Sequence, residues 1–278
     1  MLRIILLASL AVVMRPAVAA PAEPTDKWII DYSPTACTAQ RSFGDRVIAI
    51  TPSPLGVTTR IMVELPGRAA RASHVNSAVD PADGQGAIST TSILFPSRRK
   101  GFRGIYTVLP TADAKRVLSS GKFILRTGNS SDRDLVSDRA QGVAGVDFDM
   151  GRMAALNDAL ATCMGDLRKH WNIVEGRIAP PPYRTRSRGD VRTIFRPEDY
   201  PQDASDRSLH GTSQFTLMID DKGDVADCYV SRTSGVAVLD AMGCQVIRER
   251  AKFVPATDQN GKPTGDIYVT PPVRWALN

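Results

Sequence analysis

Over the first part of the chain, apolar residues come in short runs, at 28–32 (WIIDY), 47–51 and 56–65 (GVTTRIMVEL). Ile, Val and Thr crowd these runs, which predicts strands, because branched side chains suit a pleated, half-buried surface. Residues 67–87 are rich in Gly, Ala, Ser and Asp and read as a loop, after which strand character resumes at 93–95, 102–109 and 122–127 (KFILRT). Thr111 is placed to cap a short helix ending before Gly121, with Val117 and Leu118 on its buried side. The period then changes. Met153, Leu156, Leu160, Cys163, Met164, Leu167 and Trp171 follow the three-and-four spacing of an amphipathic helix, which turns Cys163 toward the core.

The last ninety or so residues carry the strongest pattern. Residues 214–220 (QFTLMID) alternate, with Phe215, Leu217 and Ile219 on one face; 221–224 (DKGD) form a turn, and 225–232 return as a second strand of a hairpin. Ser234-Gly235 opens a helix with Leu239, Met242, Gly243, Val246 and Ile247 on one face, ending near Ala251. A closing strand over 267–277 puts Ile267, Val269, Val273, Trp275 and Leu277 on one side. Between the two patterned regions, 177–188 (RIAPPPYRTRSR) holds three consecutive prolines and four arginines, the composition of an extended linker. The expected fold is α+β: a β-rich N-terminal domain at 21–176 closed by one amphipathic helix, a linker at 177–189, and a small ββαβ domain at 190–278.

Residues 1–20 (MLRIILLASLAVVMRPAVAA) combine Arg3, an apolar run from Ile4 to Met14 and the small residues Ala17, Ala19 and Ala20, which reads as a cleaved secretory signal peptide. Export gives the four cysteines their meaning, since an even count in an oxidising compartment implies two disulfides. The domain division pairs Cys37 with Cys163 and Cys228 with Cys244. The formal charge of +6 falls to +4 once Arg3 and Arg15 are removed, and the densest basic stretch is the linker rather than a folded face. Nucleic acid is therefore not an expected partner.

In the C-terminal region, Tyr200-Pro201, Gly211, Asp220 and Gly223 in the hairpin, Ser234-Gly235, Leu239-Asp240, Phe253-Val254-Pro255-Ala256, Gly261-Lys262-Pro263 and Val273-Arg274-Trp275 follow one another in an order and spacing that resemble the C-terminal domain of TonB. The resemblance covers about 190–278. It implies a periplasmic module that couples the energised inner membrane to outer-membrane receptors, binding a partner and catalysing nothing. In such domains the closing strand is an edge to which a receptor's N-terminal peptide can add a strand, which points to Val273, Arg274 and Ala276 as partner-binding residues, with Trp275 packed inward. Pro271 and Pro272 cannot donate to such pairing. Three features depart from the family's transducers: the cleavable N-terminal segment, the short linker and the extra domain at 21–176.

No catalytic constellation stands out. His74, His170 and His210 are scattered, there is neither GxSxG nor a Gly-rich phosphate loop, and 220–224 lacks the spacing of a calcium loop. No enzyme, metal or cofactor is expected. Arg98, Arg99, Lys100 and Arg103 form a basic cluster that reads as a solvated loop and, less directly, as a contact for the cell envelope. The alternative function is a periplasmic small-ligand binder or hydrolase seated in the N-terminal domain.

Overall fold

The computed structural model of the protein describes residues 21–128, 144–171, 173–174, 177–178 and 183–277. The expected signal peptide and the three linker prolines lie outside the described residues.

The N-terminal region folds as one nine-stranded antiparallel sheet. Its strands are β1 (Ile29–Tyr32), β2 (Cys37–Phe43), β3 (Arg46–Pro52), β4 (Thr58–Pro66), β5 (Ser73–Asp80), β6 (Ile88–Pro96), β7 (Phe102–Pro110), β8 (Lys122–Gly128) and β9 (Ala144–Asp149). They lie in the order β1-β2-β3-β4-β7-β6-β5-β8-β9. The sheet curls until its flanks meet: the Phe43 ring on β2 stands 4.8 Å edge-on from Phe148 on β9, and Phe148 lies 6.1 Å from Phe123. Residues 22–25 stitch the seam. Ala22 exchanges hydrogen bonds with β9 (its N–H to the Asp147 carbonyl, 2.8 Å; Asp149 N–H to its carbonyl, 3.2 Å), and the Thr25 N–H reaches the Ser42 carbonyl on β2 at 3.1 Å.

The interior is filled by side chains such as Ile48, Ile50, Ile61, Val63, Leu109 and Leu125, all nearly inaccessible. Helix α1 (Thr111–Ser120) and the longer α2 (Ala154–His170) complete this core. Along α2, Leu156, Leu160, Cys163, Met164 and Leu167 are buried, as the three-and-four spacing requires, and Cys163 is bonded to Cys37 on β2. Thr111 does not cap α1. It is the first helical residue, preceded by Pro110, and its hydroxyl donates to the Gly56 carbonyl at 2.6 Å. The expected loop at 67–87 contains β5, a further correction. The strand reads SHVNSAVD, with few branched residues, because Ser77, Ala78 and Val79 are all buried and small side chains fit where elements press from both sides. Strands β2 and β9 also escaped the pattern.

Five two- or three-residue strands follow α2 or flank the hairpin that comes next. Strand β10 (Ile173–Val174) pairs with β11 (Arg177–Ile178), and β12 (Tyr183–Thr185), inside the expected linker, pairs with β15 (Ala256–Asp258), which pairs with β16 (Pro263–Thr264). A short helix α3 (Gln202–Asp206) precedes the hairpin of β13 (Gly211–Ile219) and β14 (Val225–Arg232), joined by a tight turn. Gly223 in that turn has φ +85, and a Cβ there would fall 1.9 Å from the Phe253 carbonyl oxygen, so only glycine fits. Helix α4 (Ala237–Arg250) lies across the hairpin, and Cys244 on it is bonded to Cys228 on β14. Gly243 brings α4 close enough that a Cβ would meet the Phe215 ring at 2.2 Å. The closing strand is two pieces rather than one, β17 (Asp266–Val269) and β18 (Val273–Trp275), both antiparallel to β13. The two prolines break it and shift the register by one residue. The expected single apolar face breaks with it, for Ile267 and Trp275 are buried whereas Val269 and Leu277 are 41% and 44% exposed.

The C-terminal layer does not stand apart from the sheet of β1 to β9. Tyr106 and Val108, on the outer face of β7, join the cluster of Phe215, Val230 and Ile247, and Ile93 on β6 packs with Val238, Leu239 and Trp275. Helix α4 is thus held between its own hairpin and the outer face of the larger sheet. Its first N–H, on Ala237, donates to the Thr91 hydroxyl of β6 at 2.9 Å, and the same hydroxyl donates to the Gly235 carbonyl at 3.2 Å. No residue next to the helix offers a side-chain cap, so β6 supplies it.

Candidate functional site

A sheet can recruit an extended peptide only where a strand edge keeps free backbone groups within reach. The C-terminal sheet has the order β14-β13-β17, with β18 continuing beyond β17 along β13, and so presents β14 on one side and β17 and β18 on the other.

The β14 side is covered by the N-terminal region. Thr58 on β4 donates its hydroxyl to the Val230 carbonyl at 2.5 Å, and the Tyr229 hydroxyl donates to the Thr35 carbonyl at 2.6 Å. The Arg60 guanidinium lies 4.2 Å over the Tyr229 ring and 3.6 Å from the Asp227 carboxylate. The β17 portion is closed in another way. Asp266, 1% exposed, accepts the Ile267 N–H at 2.7 Å and the Ser187 N–H at 2.8 Å. Arg186 forms a two-pronged pair with the Asp266 carboxylate and also donates to the Ile267 carbonyl at 2.9 Å. Both backbone groups of Ile267 are therefore spent on protein partners.

The β18 portion is different. It forms a ridge between two hollows. A cleft of about 320 Å³ is walled by Phe195, Arg196, Tyr200, Val273 and Trp275, and one of about 330 Å³ by His210, Thr212, Trp275, Ala276 and Leu277, with Arg274 in the wall of both. Arg274 and Ala276 are exposed and Val273 is half-buried. Trp275 turns inward, 6% exposed, with Phe195 and Tyr200 edge-on at 5.6 and 5.9 Å. Its indole N–H donates to the Ser213 hydroxyl at 3.1 Å, which donates to buried Asp240 at 2.7 Å; Asp240 also accepts the Thr233 hydroxyl at 2.5 Å and the Ser234 N–H at 2.9 Å. This chain of bonds pins the ridge to the hairpin and to the start of α4.

The opposite wall is held as firmly. Arg250 makes two hydrogen bonds to Asp199, at 2.6 and 2.7 Å, and the Arg196 N–H adds a third at 2.7 Å. The Arg250 guanidinium, with help from that N–H, holds the Asp199 carboxyl below the usual carboxylate range. The Tyr200 hydroxyl donates to the Leu209 carbonyl, and burial raises its pKa.

The three histidines are not brought together. His74 is buried on β5, His170 ends α2 and His210 is exposed beside the ridge. Among the described residues no group of three or more His, Cys, Asp or Glu is placed to share a metal ion. Neither Phe195 nor Tyr200 was singled out by sequence reasoning as part of the site, although Tyr200-Pro201 belongs to the spaced residues.

Residues 196–277 match the family model for the Gram-negative bacterial TonB protein C-terminal. The match takes in α3, β13, β14, α4 and the closing strands, and with them the ridge. The C-terminal region is thus a module for protein interaction of a kind found in the Gram-negative cell envelope. No curated protein and no solved structure matches the chain. Both expected disulfides are formed, as an oxidising compartment allows. Among the described residues no helix is long and apolar enough to cross a membrane.

Proposed function

We propose that the protein is exported to the periplasm, where its C-terminal module (190–278) captures the extended N-terminal peptide of an outer-membrane TonB-dependent receptor by adding it as a strand alongside β18, in support of energised transport. The observation that carries this reading is the contrast along the sheet's margins: β14 is covered, β17 is capped, and β18 alone of the three rises between open clefts. Pairing begins at Val273, because Pro271 and Pro272 have no N–H to give. Arg274 and Ala276 meet the incoming peptide, and Arg274 together with Arg196 favours a segment carrying a carboxylate. The N-terminal domain (21–176) serves as a platform that fixes α4. Its interior is filled with apolar side chains, which favours a scaffold over an enzyme seated inside it.

The test is calorimetric titration of the full chain with receptor N-terminal peptides and with the same peptides N-methylated at alternate residues. Strand addition predicts a loss of at least about tenfold in affinity for the methylated register that faces β18, since several backbone bonds go together. Arg274→Glu should weaken acidic peptides while leaving the melting temperature unchanged. Equal binding of both methylated registers would overturn pairing at this edge.

A further inference from the structure

At the far flank of the molecule, where residues 22–30 cross the mouth of the curled sheet and α2 closes over it, lies a cleft of about 410 Å³. Its floor is apolar: Trp28, Ile30, Leu156 and Ala159 line it. Its rim is cationic, formed by Lys27, Arg41 and Arg152. None of the three forms an ion pair among the described residues.

Arg41 is the informative member. Its guanidinium is fixed by two neutral groups, the Asp26 carbonyl (2.8 Å to Nε) and the Met150 carbonyl (2.9 Å to Nη1), and stands 5.7 Å from the centre of the Trp28 ring and 5.8 Å from that of Phe43. Carbonyls orient a cation without cancelling its charge. The carboxylates nearby are turned onto backbone amides, Asp26 accepting the Ser42 N–H and Asp149 the Gly151 N–H, both at 3.0 Å. A guanidinium has five N–H donors, so after these two bonds both N–H groups of Nη2 remain to donate to a carboxylate. The Trp28 indole N–H is itself buried without an acceptor.

A fixed, uncompensated cation above an apolar floor fits one class of small molecule. We infer that this cleft binds an anionic amphiphile of the fatty-acid type, its carboxylate on Arg41 Nη2 and its hydrocarbon tail over Trp28, Ile30, Leu156 and Ala159. The volume lies within the range of small-ligand pockets. This site is separate from the β18 ridge and does not depend on the partner proposed there.

The experiment is calorimetric titration of the full chain, stripped of bound lipid, with decanoate below its micellar concentration, beside 1-decanol and decyltrimethylammonium. Decanoate should bind in the micromolar range, the alcohol at least about tenfold more weakly, and the cation not measurably. Arg41→Gln should weaken decanoate about tenfold. Because Arg41 also ties two carbonyls, Ala159→Phe, which fills the cleft, and Arg152→Gln, at an exposed position, supply independent readings: the first should abolish binding and the second weaken it about threefold. Equal affinity for decanoate and the cationic detergent, no binding of decanoate at millimolar concentration, or full affinity retained by both Arg41→Gln and Ala159→Phe would each overturn the inference.

Discussion

The two margins of the C-terminal hairpin layer are built from the same kind of strand and treated in opposite ways. Along β14, the Thr58 hydroxyl of β4 satisfies the Val230 carbonyl, Arg60 stacks on Tyr229, and the Tyr229 hydroxyl in turn donates to the Thr35 carbonyl before β2. Along β18, nothing comparable arrives among the described residues, and the strand is held by its pairing with β13 and, from behind, through Trp275 and Ser213. A free strand edge invites unwanted pairing, and proteins generally cover one that has no use. Here the cover is selective: it stops where the two prolines end β17, which is the pattern expected if the remaining edge has a task.

That contrast is open to attack at four points. The largest effect belongs to Trp275→Ala, which empties a site walled by Phe195 and Tyr200 and releases the Ser213 hydroxyl; about 3–5 kcal/mol of stability should be lost in denaturant titration, with peptide capture lost alongside. Next comes Asp266→Ala. It removes the acceptor of the Ile267 and Ser187 N–H groups and the carboxylate that pairs with Arg186, and since Arg186 is 39% exposed the cost should be about 2 kcal/mol, below that of a fully buried pair. The same variant lengthens the open edge, so sedimentation velocity should detect more self-association than in the parent chain. Thr58→Val leaves the Val230 carbonyl buried without its donor and should cost about 1–2 kcal/mol with no change in peptide affinity. If it weakened peptide binding as much as Arg274→Glu does, the two margins would not be functionally distinct.

The smallest effect is in the pH dependence. His74, 3% exposed, sits on β5 where the N-terminal sheet meets α3; its N–H donates to Asp203 at 2.7 Å and its carbonyl accepts from Arg207 at 3.0 Å. Burial, and after it the Arg207 charge, lower the ring pKa below the ordinary 6.5, against the opposing pull of Asp203 and Asn76. The folded ring holds a proton less readily than the unfolded one, which protonates near pH 6.5, so this contribution to stability should fall as pH drops below that value and be flat above it. His74→Gln should flatten this part of the curve in melts between pH 5 and 8. A profile unchanged by the substitution would remove His74 from the account of how α3 is held.

Legibility in the sequence followed the physics of each element. Helix α2 faces one core with one side, and its period showed it through Leu156, Leu160 and Cys163; β13 is buried on both faces, yet its alternation showed because Phe215, Leu217 and Ile219 fill one cluster while Thr216 and Met218 turn the other way. Strand β5 is covered on both faces, so Ser77, Ala78 and Val79 are small and buried together and no alternation survives. The prolines at 271–272 were visible, yet their effect on the closing strand, a one-residue slip between Val269 and Val273, depends on pairing with β13 and could not be read from spacing. Both cysteine pairs followed from dividing the chain into two patterned regions. The contact between those regions did not, because Arg60, Thr58 and Thr91 are ordinary strand residues until something lies across them.

Thr91 has a consequence for anyone who would treat the last third of the chain as a portable cassette. The hydroxyl that completes the first turn of α4 lies 146 positions upstream, on a strand of the other fold. A transplanted fragment would arrive with that turn unfinished and with the Ile93-facing side of the helix bare, so a graft into a foreign host should need a serine or aspartate at Val236 and polar replacements at Val238 and Met242 before it dissolves and folds.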